Sequence, residues 1–493
     1  MAKAWNSPPE SIFKRSASMD KKITRRELIK RGGRYALAAT VMGGTSSIIN
    51  QNSAFGFEQN PKTLPNIILI NVDDLGYGDL GCYGSLSLKT PNIDSLAKNG
   101  LRFTDFCASA PVCSPSRYGL LTGRYPMRGG FSRALFPTDR PLKNEMLGDF
   151  YYGLGRIGLL DILKENLVDG IPVDDVTLPD ILRESGYKTG MVGKWHLGDT
   201  PGYLPNDNGF DFFFGVPYSN DMSPFPLYRN CEIIEEDIKD QGTLTKRYTK
   251  NALEFIDDSK GSPFFFYFAH TFPHIPLFAS DDFRGKSLGG LYGDTVEEVD
   301  WSVGEIIRKV EELGLTDNTL IIFTSDNGPW YEGSQGGLRG CKGLSFEGGF
   351  RVPMIAKWPG VIRPGSVTET PATNMDVFPT ILGIVGANLP AGRTIDGMDI
   401  MPVLKGKKDF DHKPFFYYHG NKIEAVRMGK WKYHRKHSVY IWPSNLQKKG
   451  PWLFDMDTDH FERYDVSMKY PDIAKELEAT IAKWEESFLP LTP

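Results

Sequence analysis

Residues Asn66–Val72 read NIILINV and run straight into the acidic pair Asp73-Asp74. A continuous apolar run of this length, closed by a turn signal, is the pattern of a strand buried on both faces. Further candidates of the same kind lie at 188–192, 264–269, 320–325 and 352–357. Between them stand helices. Thr90-Pro91 opens one, with Pro at its first position, and Gly100 ends it. Residues 295–313 carry Val296, Val299, Val303, Ile306, Ile307 and Val310 at helical spacing. Strands alternating with helices predict a large mixed, mostly parallel sheet with helices on both faces.

The pattern fades around residues 385–415, where Pro, Gly and charge are frequent. Short aromatic strands follow at Phe415–His419, 424–427 and Trp431–His434, then a closing helix at 472–488. This predicts a large domain over 60–390 and a small C-terminal α+β domain with an antiparallel sheet over 400–493, a division that suits 493 residues. Residues 131–176 form a long connection inside the large domain, and connections of that length usually carry function.

Charge is unevenly spread. Residues 1–55 hold ten Lys and Arg against Glu10, Asp20 and Glu27, a net +7, which leaves −11 on the rest of a chain whose formal charge is −4. An acidic body argues against nucleic acid as a partner. Within the basic segment, Thr24-Arg25-Arg26-Glu27-Leu28-Ile29-Lys30 precedes an uncharged stretch over 36–50 and small residues at Ser53-Ala54. That order resembles a twin-arginine export signal, with Met1 or Met19 as its start. A basic amphipathic helix is the alternative. The export reading makes the export machinery a partner and the periplasm or exterior of a bacterium the destination. A protein folded before export leaves a reducing compartment, so its five cysteines are expected to form few or no disulfides.

The chemistry centres on Val112-Cys113-Ser114-Pro115-Ser116-Arg117, followed by Leu121-Thr122-Gly123-Arg124. Pro115 reads as a helix start and Gly123 as its end, so Cys113 lies just before a helix N-terminus, where N–H groups favour negative charge. A lone Cys is more often a buried structural thiol. Asp73-Asp74 and Asp326-Asn327 each end an apolar strand, where open α/β sheets place their sites. One such pair is more often a turn, but two pairs of hard oxygen donors suit calcium or magnesium. Cationic groups border three more loops. Gly193-Lys194-Trp195-His196 places Lys194 and His196 on one side of an extended segment. His270-Thr271-Phe272-Pro273-His274 follows another strand, and Cys341-Lys342-Gly343 precedes Phe346-Glu347-Gly348-Gly349.

The string Cys-x-Pro-Ser-Arg with Leu-Thr-Gly-Arg resembles the sulfatases of the alkaline-phosphatase superfamily, closest in look to arylsulfatases and hexosamine-sulfate sulfatases. The likeness runs from about Pro65 to the end, including Ala425-Val426-Arg427-Met428-Gly429-Lys430-Trp431-Lys432 and Leu453-Phe454-Asp455. It departs in 131–176 and at Cys341, where the family often has Gly. The resemblance implies an alkaline-phosphatase-like fold and hydrolysis of a sulfate monoester, with a sulfated saccharide as the substrate. It implies that Cys113 is oxidised to formylglycine by a formylglycine-generating enzyme, and that its aldehyde hydrate supplies the nucleophilic oxygen. It assigns Asp73, Asp74, Asp326 and Asn327 to one Ca²⁺, in preference to Mg²⁺, with the formylglycine oxygen completing the shell. Arg117, Lys194, His196, His274 and Lys342 carry over as sulfate-binding and proton-transfer groups, and Ser219 and His270 as pocket residues.

Two rivals stay open at this stage. A phosphonate monoester or phosphodiester hydrolase can use the same nucleophile, and a sulfoglycan-binding protein can keep the scaffold without turnover. Sugar specificity falls to variable loops. Two segments mix cations with rings, as a sulfated sugar requires: 131–176, with Arg133, Arg140, Tyr151, Tyr152 and Arg156, and the cluster Lys432, His434, Arg435, His437 and Trp442. Plain surface packing accounts for them equally well.

Overall fold

A computed structural model describes residues 64–138, 168–435, 437–441 and 445–488. The export segment, Arg140, Tyr151, Tyr152, Arg156, Trp442 and the side chain of His437 lie outside the described residues. Asn66–Val72 is the fifth strand of a ten-stranded sheet. In spatial order the strands are Ser366–Thr368, Leu101–Phe103, Met354–Lys357, Thr319–Ser325, Asn66–Val72, Phe264–His270, Lys188–Lys194, Phe212–Val216, Leu227–Arg229 and Glu232–Glu235. The five from Thr319–Ser325 to Phe212–Val216 run parallel. Met354–Lys357 is antiparallel to both neighbours, and Leu227–Arg229 and Glu232–Glu235 extend the far edge in antiparallel fashion.

Every residue of Asn66–Val72 is buried, and the side chains alternate between two cores. Ile67 and Leu69 face the helices Cys113–Thr122, Leu178–Glu184 and Val377–Val385. Ile68, Ile70 and Val72 face Pro91–Lys98, Leu244–Ser259 and Gly290–Glu312. Each fully buried Ile or Leu contributes about 1.5–3 kcal/mol, and a strand that earns this on both sides belongs in the middle of the sheet. The helix expected at 295–313 starts earlier, at Gly290, because glycines at its head carry no apolar signal.

The C-terminal sheet has the order Phe415–His419, Lys422–Met428, Trp431–His434 and Trp452–Asp455, all antiparallel, and packs on helix Pro471–Glu486. Its core also takes in Cys107, Tyr125, Phe350 and Met375 from the larger sheet's side.

Here the structure corrects the expected specificity cluster. Lys432 and His434 are fully buried. Lys432 Nζ lies 2.9 Å from Glu347 Oε1 and 2.8 Å from Glu462 Oε1, and His434 Nε2 lies 2.9 Å from the same Glu462 oxygen. Arg351 Nε donates to Glu347 Oε2 at 2.6 Å, and the Tyr417 hydroxyl donates to Glu347 Oε1 at 2.8 Å. Arg435 points instead to Glu478 and Glu485 of the closing helix, at 2.8 and 2.7 Å. Lys432 and His434 share the inward face of a strand, so they stitch the sheet to the loop before Phe350 rather than reach for substrate.

Burial alone would raise Glu347, but Lys432, Arg351 and Arg427 hold it well below its ordinary value; Glu462 is lowered against burial by Lys432 and His434. Carboxyls lowered on folding contribute stability that is full above the unfolded value and lost as pH falls through the folded one. The network therefore holds at neutral pH and fails in acid. Lys432→Ala would leave two buried carboxylates without their ammonium and should cost about 3–5 kcal/mol, read from urea unfolding at pH 7. An unchanged unfolding midpoint together with a selective loss on long saccharides would restore the pocket-mouth assignment.

Candidate active site

The five parallel strands end on one edge of the sheet, and each delivers a polar residue there. Val72 is followed by Asp73-Asp74, and Ser325 by Asp326-Asn327. Lys194 is the last residue of its strand, Phe264–His270 leads to His274, and Phe212–Val216 leads to Ser219 and Asn220. Helix Cys113–Thr122 presents its first residue, Cys113, to this edge, and Gly123 closes it in the left-handed conformation at φ 67°. The edge lies where open α/β sheets place their ligands.

Cys113 Sγ is 3.3 Å from Asp73 Oδ1 and 3.9 Å from Asp74 Oδ1. Lys194 Nζ donates to Asp73 Oδ2 and to Ser219 Oγ, both at 2.6 Å. Arg117 donates through Nε to Asp326 Oδ2 at 2.9 Å and through Nη1 to the Lys194 carbonyl at 2.6 Å. Lys342 Nζ donates to Asp74 Oδ2 at 2.7 Å, and His274 Nε2 is 3.6 Å from the same oxygen. The Asp74 backbone N–H donates to Asp326 Oδ1 at 3.1 Å. Ser116 Oγ donates to the Asp326 carbonyl, and Asn374 Nδ2 donates to Ser116 Oγ at 2.9 Å. Lys194 can approach Asp73 because Gly193, at φ 112°, lets two strands close up; a Cβ there would collide with the Ala269 carbonyl.

Three buried carboxylates stand against three cations, and their titration follows. Burial would raise Asp73, but Lys194, His274, Arg117 and Lys342 hold it well below its ordinary value. Burial and the neighbouring Asp73 push Asp326 up to about 7, with Arg117 opposing. Burial lowers Lys342, yet Asp74, Cys113 and Asp73 outweigh it and keep the ammonium charged. Burial and Asp73 push the Cys113 thiol well up, so it stands as a neutral thiol.

The donor set fits a hard cation. Ligand atoms of Asp73, Asp74, Cys113 and His274 lie within 4.8 Å of one another. Asn327 donates through Nδ2 to Asp74 Oδ1 at 2.7 Å, while its Oδ1 is buried with no hydrogen-bond partner. Asp326 is raised by burial first and by Asp73 second, and a cation would relieve both. Of these groups the carboxylates of Asp73 and Asp74, with Asp326 beside them and the open Asn327 Oδ1, are the oxygen donors that suit calcium or magnesium.

Every residue expected at the site is at this edge of the sheet except two that differ in detail. His196 is not on an extended segment beside Lys194: it sits at φ 59°, and its Nε2 donates to the Leu135 carbonyl at 2.9 Å. Its Nδ1 is buried and unpartnered. His270 is fully buried in a box of Tyr248, Phe268 and Phe272, with Nδ1 accepting from the Phe272 N–H at 3.0 Å. That is the placement of a packed core histidine with Nε2 left open. Asn220 escaped the sequence reading. Its Oδ1 is 3.1 Å from His274 Nδ1, and its Nδ2 donates to Gln241 Oε1 at 3.0 Å and to the Pro276 carbonyl at 2.9 Å, so it orients the histidine. The signal was its place in the polar string after Val216.

Residues 65–387 match the Sulfatase family model, and 341–487 match that of the N-sulphoglucosamine sulphohydrolase C-terminal region. The chain is 35% identical over 480 residues to N-acetylgalactosamine-6-sulfatase of Rattus norvegicus, covering 87% of each chain. It is 38% identical to arylsulfatase A of Bos taurus, covering 84% of this chain and 85% of that one. A structure from work on glycosaminoglycan metabolism by Bacteroides thetaiotaomicron superimposes with TM-score 0.74 at 27% identity, over 86% of this chain and all of that one (100%). Ps i-CgsB, solved in complex with k-i-k-neocarrahexaose, gives TM-score 0.72 at 30% identity, over 86% and 93%. The phosphonate monoester hydrolase of Agrobacterium radiobacter, 18% identical with TM-score 0.59 over 86% and 96%, shares the fold alone. With the family model spanning most of its length and the strand-end residues in place, the chain belongs to the sulfatase family and is a sulfuric ester hydrolase of alkaline-phosphatase-like fold.

Proposed function

We propose that this site hydrolyses a sulfate monoester on a saccharide, with Cys113 matured to formylglycine and one divalent cation, calcium in preference to magnesium, held by Asp73, Asp74, Asp326 and Asn327. The observation that carries the reading is Cys113 at a helix start, 3.3 Å from Asp73, in a buried cluster where Asn327 Oδ1 has no partner. When bound, the cation supplies Lewis acidity and the hydrated aldehyde supplies a nucleophilic oxygen.

The chain's own residues do the rest. Arg117 and Lys194 are fully buried and hold Asp326 and Asp73 in place. The Lys342 side chain keeps 15% exposure while Arg117 and Lys194 keep none, so it is the one of the three cations that an entering sulfate would reach first. His274 Nδ1 donates to the Ile275 carbonyl at 2.6 Å, so Nε2 is the atom that exchanges a proton with the leaving oxygen. Burial and Lys342 lower this ring, so it rests neutral with Nε2 unprotonated and takes up a proton before it passes one on. Burial and Lys194 hold His196 well below its ordinary value, so Nδ1 is a neutral base able to take a proton from the nucleophile's second hydroxyl.

Charge balance favours a singly charged ester over a doubly charged one. The three carboxylates are matched by Arg117, Lys194 and Lys342, so a divalent cation leaves two positive charges. A sulfate monoester and a deprotonated nucleophile bring two negative ones, whereas a phosphate monoester brings one too many. A phosphodiester also balances, so the test must include it. Saccharide is the favoured carrier because relatives are named N-acetylgalactosamine-6-sulfatase and one neighbour was solved in complex with k-i-k-neocarrahexaose. The Arg25-Arg26 segment would deliver the enzyme outside the cytosol, after a formylglycine-generating enzyme has acted on Cys113.

Turnover of an aryl sulfate, a sulfated saccharide and an aryl phosphodiester should rank both sulfates above the diester in kcat/KM; the reverse order would replace this function with diester hydrolysis. Peptide mass spectrometry on active enzyme should find residue 113 about 18 Da lighter than cysteine, and Cys113→Ala should abolish turnover with the fold intact. Full activity from unmodified Cys113 would end the formylglycine mechanism. After chelation, calcium or magnesium should restore activity and raise Tm, and Asp326→Ala should lose that rise because the ion stabilises only the native state. Recovery with zinc alone would contradict the ligand assignment.

A further inference from the structure

A groove of about 580 Å³ opens beside the nucleophile. That volume lies within the range of about 300–1,000 Å³ typical of small-ligand sites. Its floor includes Pro111, Val112 and Pro115, and Val112 is bonded to Cys113. The Gly343 N–H donates to the Pro111 carbonyl at 2.9 Å, which ties the Lys342 loop to the same floor. One wall is the segment that ends in Phe131, Ser132 and Arg133. The other is the tip of the hairpin between Phe415–His419 and Lys422–Met428. The walls approach where a Cβ on Gly420 would stand 4.0 Å from the Ser132 carbonyl.

The charge of this groove is one-sided. Arg133, His419 and Lys422 line it, and among the described residues no Asp or Glu does, although Glu424 stands 3.2 Å from His419 just outside the lining. In a chain with 61 acidic and 57 basic residues that asymmetry selects for an anion. His419 and Lys422 pair directly across the Gly420-Asn421 turn, so their side chains stand on one face of the ladder. Lys422 is exposed and has no carboxylate partner among the described residues. His419 lies 3.2 Å from Glu424, and that hydrogen bond raises its pKa and favours the charged ring. The rest of the lining mixes apolar residues, Met127 and three prolines among them, with the polar Ser132 and Asn421.

We infer that this groove binds the sugar adjoining the one that carries the scissile sulfate, and that Lys422 holds an anionic substituent, sulfate or carboxylate, on that neighbouring ring. The inference rests on the saccharide reading above. In place of Lys432 and His434, which are buried, it makes the hairpin tip at 419–422 the domain's contribution to specificity.

The test uses three Lys422 variants, Lys422→Ala, Lys422→Glu and Lys422→Arg, on four substrates: an aryl sulfate, and sulfated oligosaccharides whose adjoining sugar is sulfated, uronate-bearing or neutral. Lys422→Ala should raise KM roughly three- to tenfold on the anionic oligosaccharides, Lys422→Glu should raise it further, and Lys422→Arg should restore it. The aryl sulfate and the neutral oligosaccharide should stay within about twofold, because remote binding acts only on substrates that reach it. A larger effect on the sulfated than on the uronate substrate identifies sulfate as the group held, and the reverse identifies carboxylate. Raising salt from about 50 to about 300 mM should weaken the wild type more than Lys422→Ala on the anionic oligosaccharides. Equal losses on all four substrates, or none on the anionic ones, would overturn the assignment. If the wild type cleaves the aryl sulfate but no saccharide, the saccharide reading itself fails.

Discussion

Three carboxylates, Asp73, Asp74 and Asp326, are crowded into a buried place that water cannot screen. Everything else at the site is arranged around that electrostatic cost. Lys194 meets Asp73, Lys342 meets Asp74 and Arg117 meets Asp326, each within 3 Å. Ion pairs this deep are maintained only when their remaining atoms are satisfied, and here the Asp74 backbone N–H serves Asp326 and the Asn327 amide serves Asp74. What stays unsatisfied is informative: Asn327 Oδ1 and His196 Nδ1 are both buried and unpartnered, as groups awaiting a ligand or a proton would be.

The sheet makes the crowding possible. Parallel strands all point their carboxyl ends the same way, so residues 253 positions apart, such as Asp74 and Asn327, meet without any loop having to travel. The backbone is strained where the chemistry is densest. Asp74 and His196 adopt φ of 60° and 59°, a region that costs a non-glycine residue about 1–3 kcal/mol and persists when the surroundings impose it. The C-terminal sheet adds a second buried charge network through Glu347, Lys432 and Glu462, which fastens the loop following Lys342 from behind.

Much of this was legible locally. Asn66–Val72 and Phe415–His419 form with the expected bounds, because their apolar or aromatic runs end at turn residues. The helix carrying Cys113 ends at Gly123 as the glycine signals. Strand order was not legible, since pairing joins distant segments and leaves no local period. The edge strands Leu227–Arg229 and Glu232–Glu235 are too short, and the second too polar, to announce themselves. Lys432 and His434 misled because a charge in a sequence looks solvent-facing until its buried partners, here Glu347 and Glu462, come from elsewhere in the chain. The left-handed turn at His196 was invisible for a similar reason: the Leu135 carbonyl that captures its ring lies 61 residues away.

The central claim is that the strand-end carboxylates hold one hard divalent cation in addition to their three basic partners. Elemental analysis of the purified, dialysed enzyme by inductively coupled plasma mass spectrometry tests it most directly. The account predicts about one calcium or magnesium per chain, falling toward zero in a variant that combines Asp73→Ala with Asn327→Ala while the protein stays folded. Stoichiometric zinc, or a full complement of calcium retained by that double variant, would contradict it.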